Sequence, residues 1–380
     1  MASIDLSGIP IIDNHCHGLY RDQGPFDPAA WRRFFTESRD PDMPRDHVPN
    51  TIVYRRMLRD LAGFFGCEPP EEAVLAARRK RDPSELTGAL LQAAHIDTLL
   101  IDGGYPPPER VLPNAELAQI SGCRVLPVLR LETLMERLIA EHDTLAEVRE
   151  ALGAALSDLR GQGYVALKSI AAYRTGLDIR KWPDEDAERA FAAARREVLE
   201  QGSSRLAHKP LLDTLLHVAF IEAARQEIPV QFHVGYGDSD ADLLLGNPLL
   251  LRPVLEDPAY RGLPVILLHA CYPYTREGGY LASIYEQVSL DLSYGIPFLG
   301  YREMLAFTRI ALGIAPVSKL LYSSDGVGVP ELHWSGALNG HRVLGAALAE
   351  LVEQGELSGP EAEAVGAAIL AGNARRLYRL

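Results

Sequence analysis

At 380 residues, 47% hydrophobic and 23% charged, the chain can bury a sizeable core, and its composition excludes disorder and collagen-like repeats. Its 38 Lys and Arg against 51 Asp and Glu leave a net charge of -13 and no basic cluster, which excludes a phosphate-backbone partner. The four scattered cysteines, Cys16, Cys67, Cys123 and Cys271, form no C-x-x-C pair and exclude a disulfide framework.

No apolar run approaches the roughly 18 residues of a membrane span, and no basic segment leads into an apolar stretch at the start. The expectation is a cytoplasmic protein acting on a small molecule, with no membrane partner and with homo-oligomer formation left open. In chain order, eight short runs rich in Ile, Val and Leu read as strands: 9–13, 96–102, 124–129, 164–168, 229–233, 264–269, 288–292 and 319–323. Such near-continuous apolar strands belong to parallel sheets covered on both faces.

The segments between them carry helical patterning. Residues 144–160 show a 3.6-residue apolar stripe behind Thr144, with Glu147 three positions later as a capping box. Further helices are expected over 211–227, 276–287, 302–313, 335–354 and 361–377. Strand and helix alternating eight times predict an α/β fold, the (β/α)8 TIM barrel. A doubly wound sheet would place a glycine-rich phosphate loop after an early strand, but the first strand runs into His-Cys-His-Gly. Two stretches exceed ordinary connections, about 20–92 after the first strand and 175–208 after the fourth, the latter with a helix over 184–201. Both follow the C-terminal end of a strand, where barrel enzymes place their chemistry, and read as insertions in a single barrel spanning 1–380. They would serve as a lid, as substrate walls or as a subunit interface.

The chemistry-bearing residues fall at strand ends. His15 and His17 follow the first strand at i, i+2 spacing, which points both imidazoles to one side. Lys168, His233 and His269 end strands four, five and six, and Asp325 follows strand eight. Singly, each is an ordinary sheet-margin residue, and Asp325 alone reads as a helix N-cap. Six together on one rim form a set whose burial is costly unless a cation organises it.

This layout resembles the amidohydrolase superfamily. Ile11-Ile-Asp-Asn-His15-Cys-His17 is similar to its strand-one His-x-His, and the order His-x-His, Lys, His, His, Asp is similar to its ligand layout. Gly372-Asn-Ala-Arg-Arg-Leu377 resembles its closing helix. His269-Ala-Cys-Tyr-Pro-Tyr-Thr-Arg-Glu277, Leu281-Ala-Ser-Ile-Tyr285 and Leu321-Tyr-Ser-Ser-Asp325-Gly resemble the amidohydrolase-related branch, including the barrel half of proteins fused to glutamine synthetase.

The resemblance implies a metal-dependent hydrolase. His15, His17 and Asp325 would hold one divalent ion, and Lys168, His233 and His269 a second, bridged by a carbamylated Lys168. Zinc comes first; manganese, iron or nickel also suit such donors. The implied reaction is cleavage of an amide, ester or lactone of a carboxylate-bearing substrate by a metal-activated hydroxide, with Asp325 as general base and a γ-glutamyl-type amide as one analogy. The alternative is a mononuclear decarboxylase using His269 as acid and base; a non-catalytic barrel is a third reading, opposed by the complete ligand set. Tyr173, Arg174, Tyr236, Tyr272, Arg276 and His333 are expected at the barrel mouth as substrate-binding residues, with Arg174 as a two-pronged carboxylate clamp. Arg130 and Glu132 are either an ion pair or pocket wall, and Cys16 and Cys271 are expected to turn away into the core.

Overall fold

The computed structural model describes residues 3–380. Eight parallel strands follow one another in chain order around one sheet: β1 Ile11–His17, β2 Ile96–Asp102, β3 Arg124–Arg130, β4 Ala166–Ser169, β5 Val230–Phe232, β6 Val265–Leu267, β7 Val288–Ser293 and β8 Leu320–Ser323. With helices around it, this is the (β/α)8 barrel. Apart from β3, where only Val128 is fully buried, the strands are buried on both faces, as parallel strands covered by helices must be.

The sheet closes where β1 meets β8. The His17 N–H donates to the Gly326 carbonyl at 2.8 Å and the Asp325 N–H to the His15 carbonyl at 3.1 Å. One layer deeper, Asp13 accepts from the Ser324 N–H at 2.9 Å and from its hydroxyl at 2.5 Å. On the other edge of β1, where it pairs with β2, the register shifts between Asp13 and Cys16 and re-aims the side chains of this segment. The seam thereby brings His15, His17 and Asp325 together.

The helix Leu145–Leu156 begins in the Thr144–Glu147 capping box. The helix expected from Ser335 instead runs over Pro330–Glu353, because Pro330 at its first position starts it five residues earlier. The long C-terminal helix expected over 361–377 runs without a break from Gly359 to Tyr378, widened by a π-helical turn at Ala368–Gly372 before its last segment, the helix Asn373–Tyr378. That last helix lies under the barrel, where Tyr378 and Ala374 pack with Ile12, Leu100, Val128 and Ile266.

The first insertion carries the helices Pro28–Arg32, Ile52–Phe65, Glu71–Arg79 and Pro83–Ala93. Its inner face is an aromatic cluster of Phe26, Trp31, Phe34, Phe35 and Tyr54. Arg78 lies over the Phe26 and Trp31 rings and makes a buried 2.6 Å bond to Glu331 on the helix after β8. The second insertion forms Asp184–Gln201. Among the described residues no helix is long and apolar enough to cross a membrane.

Candidate metal centre and substrate cavity

At the C-terminal ends of the strands a cavity of about 1660 Å³ opens, and His17, Lys168, His233, His269 and Asp325 lie in its wall. The proton positions on the histidines follow from their outer partners. His15 Nδ1 lies 2.9 Å from Gln231 Oε1, and the Gln231 amide nitrogen already donates to the Asn14 carbonyl, so His15 Nδ1 carries the proton. His17 Nδ1 lies 3.0 Å from the Tyr105 carbonyl and is likewise the donor. Both Nε2 lone pairs then face Asp325 Oδ1, each at 3.5 Å. Three electron-rich atoms turned on one point repel unless a cation sits among them. Donors of a four-coordinate divalent ion with bonds of about 2.1 Å stand about 3.4 Å apart, so the donor chemistry and both His–Asp325 separations suit a metal.

His233 donates Nε2–H to the Tyr236 carbonyl at 2.6 Å, which leaves Nδ1 as its free lone pair. His269 Nδ1 faces Ser293 Oγ and Asp325 Oδ2, both at 3.3 Å, while its buried Nε2 has no protein partner. Lys168 Nζ stands 3.2 Å from His15 Nε2. The structure thus brings all six expected residues to one end of the barrel, and donor atoms lie within 4.8 Å of one another in two groups, His15 with His269 and Asp325, and His15 with His17 and Asp102.

Burial drives the electrostatics here. It pushes His15 and His269 well below the ordinary imidazole value and His233 down to about 3, helped in each by the Lys168 charge. The same desolvation lowers the Lys168 ammonium to about 8. Burial also acts to raise Asp325, but the neighbouring His17 imidazole, the hydrogen bond from the Tyr236 hydroxyl and the Lys168 charge outweigh it and hold the carboxyl low. His269 and Asp325 both sit at left-handed φ, 62° and 52°. Such non-glycine conformations cost about 1–3 kcal/mol each and concentrate at functional sites.

The expected substrate residues divide. Tyr173, Arg174 and Tyr236 line the cavity. The Tyr236 hydroxyl donates to Asp325 Oδ2 at 2.7 Å, and Tyr173 packs on the His233 ring at 4.3 Å. Arg174 meets Glu136 at 3.4 Å and keeps its Nε without a partner. Tyr272, Arg276 and His333 are not brought to the cavity. Tyr272 contributes its backbone instead: its carbonyl accepts the Tyr236 N–H at 2.8 Å, and Gly235, at φ 77°, packs so close to that carbonyl that a Cβ would collide with it. Arg276 lies exposed in the helix Thr275–Ile284. His333 falls inside the early-starting helix, fully buried, with Nε2 3.2 Å from the His17 carbonyl. Arg130 lines the cavity but pairs with Asp102, with a shortest contact of 2.5 Å, while Glu132 accepts from the Ser169 hydroxyl and the Ile170 N–H. Cys16 and Cys271 are fully buried.

Sequence reading missed several groups. Glu37, from the first insertion, lines the cavity near Asp325 and Asp238, and burial raises its carboxyl to about 7. Arg205 enters the wall from the end of the second insertion. Asp102 and Asp291 were visible as acids inside apolar strands, and Gln231 as the polar residue two before His233.

The amidohydrolase family model (Amidohydro_2) matches residues 143–380. The chain belongs to the amidohydrolase family. A crystal structure of a candidate metal-dependent hydrolase from Lactobacillus casei superposes with a TM-score of 0.88 at 32% identity, over 99% of this chain and 98% of that one. The protein fluG of Emericella nidulans is 28% identical over 98% of this chain; the amidohydrolase chain spans 46% of that relative's length. A uronate isomerase from Thermotoga maritima, at 14% identity and a TM-score of 0.72 over 98% of this chain and 95% of that one, shares the fold. By family this amidohydrolase is a metal-dependent hydrolase.

Proposed function

We propose that this amidohydrolase cleaves an amide, ester or lactone bond of a small carboxylate-bearing molecule, using His15, His17 and Asp325 to hold a divalent ion. The supporting observation is the convergence of two imidazole lone pairs on one Asp325 oxygen, both at 3.5 Å. An ion there, zinc first, supplies Lewis acidity toward a carbonyl and acidifies a water. Lys168, His233 and His269 would hold a second ion once Lys168 carries a carbamate, and its lowered ammonium enlarges the fraction of free amine that can add CO2.

Asp325 is ionised at neutral pH and has a second oxygen, Oδ2, turned toward Tyr236 and His269. In this reading it accepts the water proton and delivers it to the leaving group. The Tyr236 hydroxyl orients the carboxylate for that exchange. Arg174, with its unpartnered Nε, receives the substrate carboxylate. The buried imidazoles stay neutral and keep their lone pairs.

The test is elemental analysis of chelator-free protein, followed by a screen of amides, esters and lactones that includes γ-glutamyl amides. Two ions per chain with hydrolysis support the reading. One ion with decarboxylation would favour the lyase alternative, which the 3.3 Å His269–Asp325 contact suits as an acid–base pair. No ion, even after adding zinc or manganese, overturns it. Asp325→Asn should lower kcat/KM by about 10²–10⁴-fold.

A further inference from the structure

The closing helix ends beneath the metal centre, and its Tyr378 joins a chain of hydrogen bonds that runs one way. Asp291 is the fixed acceptor: its Oδ1 takes the His269 N–H at 2.9 Å and the Ser293 hydroxyl at 2.6 Å, and its Oδ2 takes the Asn14 amide at 2.6 Å. With its nitrogen committed, Asn14 can only accept through Oδ1, and the Tyr378 hydroxyl donates there at 2.5 Å. The Tyr378 oxygen then accepts from Gln231 Nε2 at 2.8 Å, and the same nitrogen donates to the Asn14 carbonyl at 2.7 Å. Gln231 Oε1 is left as an acceptor facing His15 Nδ1 at 2.9 Å. Asn14, Gln231 and Asp291 are fully buried and Tyr378 nearly so, which makes a wrongly oriented dipole expensive.

We infer that Gln231, oriented by Tyr378 and Asn14, is a positioning residue that locks His15 in the tautomer whose Nε2 lone pair faces the metal centre. This deepens the metal-centre reading and rests on it. Outer partners that orient a ligating histidine are worth about 10–100-fold in metal affinity. A residue of the closing helix therefore sets the affinity of a site at the opposite end of the strands. A second branch from Asp291, through Ser293 Oγ, reaches His269 Nδ1 and orients that ring from the same anchor.

The experiment is zinc affinity by chelator competition, with the visible spectrum of the cobalt(II)-loaded protein as a second readout. Folding of each variant is checked first by far-UV circular dichroism. Gln231→Leu should bind zinc about 10–100-fold more weakly, and Tyr378→Phe, the milder change, about tenfold, both with altered cobalt spectra. Gln231→Glu should recover most of the loss, because a protonated carboxyl donates to the Asn14 carbonyl while accepting from His15. Leu377→Ala, which removes only packing from the same helix, should bind as the parent does. The inference is overturned if Gln231→Leu and Tyr378→Phe bind zinc within twofold of the parent, or if Leu377→Ala weakens binding as much as they do. If His15→Asn also leaves zinc binding untouched, the metal-centre reading itself falls.

Discussion

The floor beneath the metal centre and the mouth above it are built on opposite plans. Below, Asp13, Asn14, Gln231 and Asp291 are fully buried and each is tied to partners of complementary role, so the donors above them have one orientation. At the mouth, Arg39 from the first insertion reaches Asp238 and Asp240, with Arg205 also on Asp240, and Arg39 is 60% exposed. A centre that must hold an ion needs the first plan, and a wall that admits substrate needs the second. The Arg78–Glu331 pair between them belongs to the floor in character, though it anchors the insertion that forms the mouth.

The sharpest way to break this contrast is to cut that anchor. Arg78→Ala leaves Glu331 fully buried without its cation, with Oε2 already lacking a partner, and frees Gln23, whose carbonyl Arg78 holds at 2.6 Å. Losing one member of a buried pair costs about 3–5 kcal/mol. The expected result is a fall of several degrees in Tm and proteolytic cleavage within the first insertion before the barrel opens. A Tm equal to the parent's would show that the insertion is held by its aromatic cluster alone.

A pH titration probes the floor next. Burial holds His233 near 3 and His333 near 4, against an ordinary value of about 6.5 once the chain unfolds. The unfolded chain therefore binds more protons, and stability falls as pH drops from about 6.5 toward 4. Buried Asp13 and Asp291, raised to about 8 and about 6, act with the opposite sign, so the histidine contribution is read as the difference in the pH slope of Tm between the metal-free parent and a His233 variant. His233→Asn should flatten the slope. Equal pH slopes in the parent and His233→Asn would refute the neutral, desolvated state of the His233 ring.

How much of this was legible in the sequence follows the same division. The eight strands announce themselves as apolar runs, because burial on both faces leaves little else. His15, His17, Lys168, His233, His269 and Asp325 stand out because each interrupts such a run at its C-terminal end. His333 was misplaced because Pro330 begins its helix early and turns the ring into the protein. Arg276 was misplaced because it opens a surface helix, and Tyr272 because its carbonyl, which no side-chain reading can find, is the part that supports Tyr236. The floor was invisible for another reason: Asn14, Gln231, Asp291 and Tyr378 lie far apart in sequence, and only the closed barrel makes them neighbours.

The smallest effect tests the mouth alone. Arg39 is exposed and its partners Asp238 and Asp240 partly so, and pairs of this kind contribute about 0–1 kcal/mol and are screened by salt. Arg39→Ala should leave Tm and zinc affinity near the parent's. Yet Arg39 lies two residues from Glu37, which reaches the cavity wall, so loosening the clasp frees the position of that carboxyl as well as the opening itself. The expected signature is a change in KM with little change in kcat, largest at low ionic strength and fading as salt removes the parent's own clasp. If Arg39→Ala instead lowers kcat and zinc affinity together at every salt concentration, mouth and floor are mechanically one unit, and the division between a rigid floor and an adjustable mouth fails.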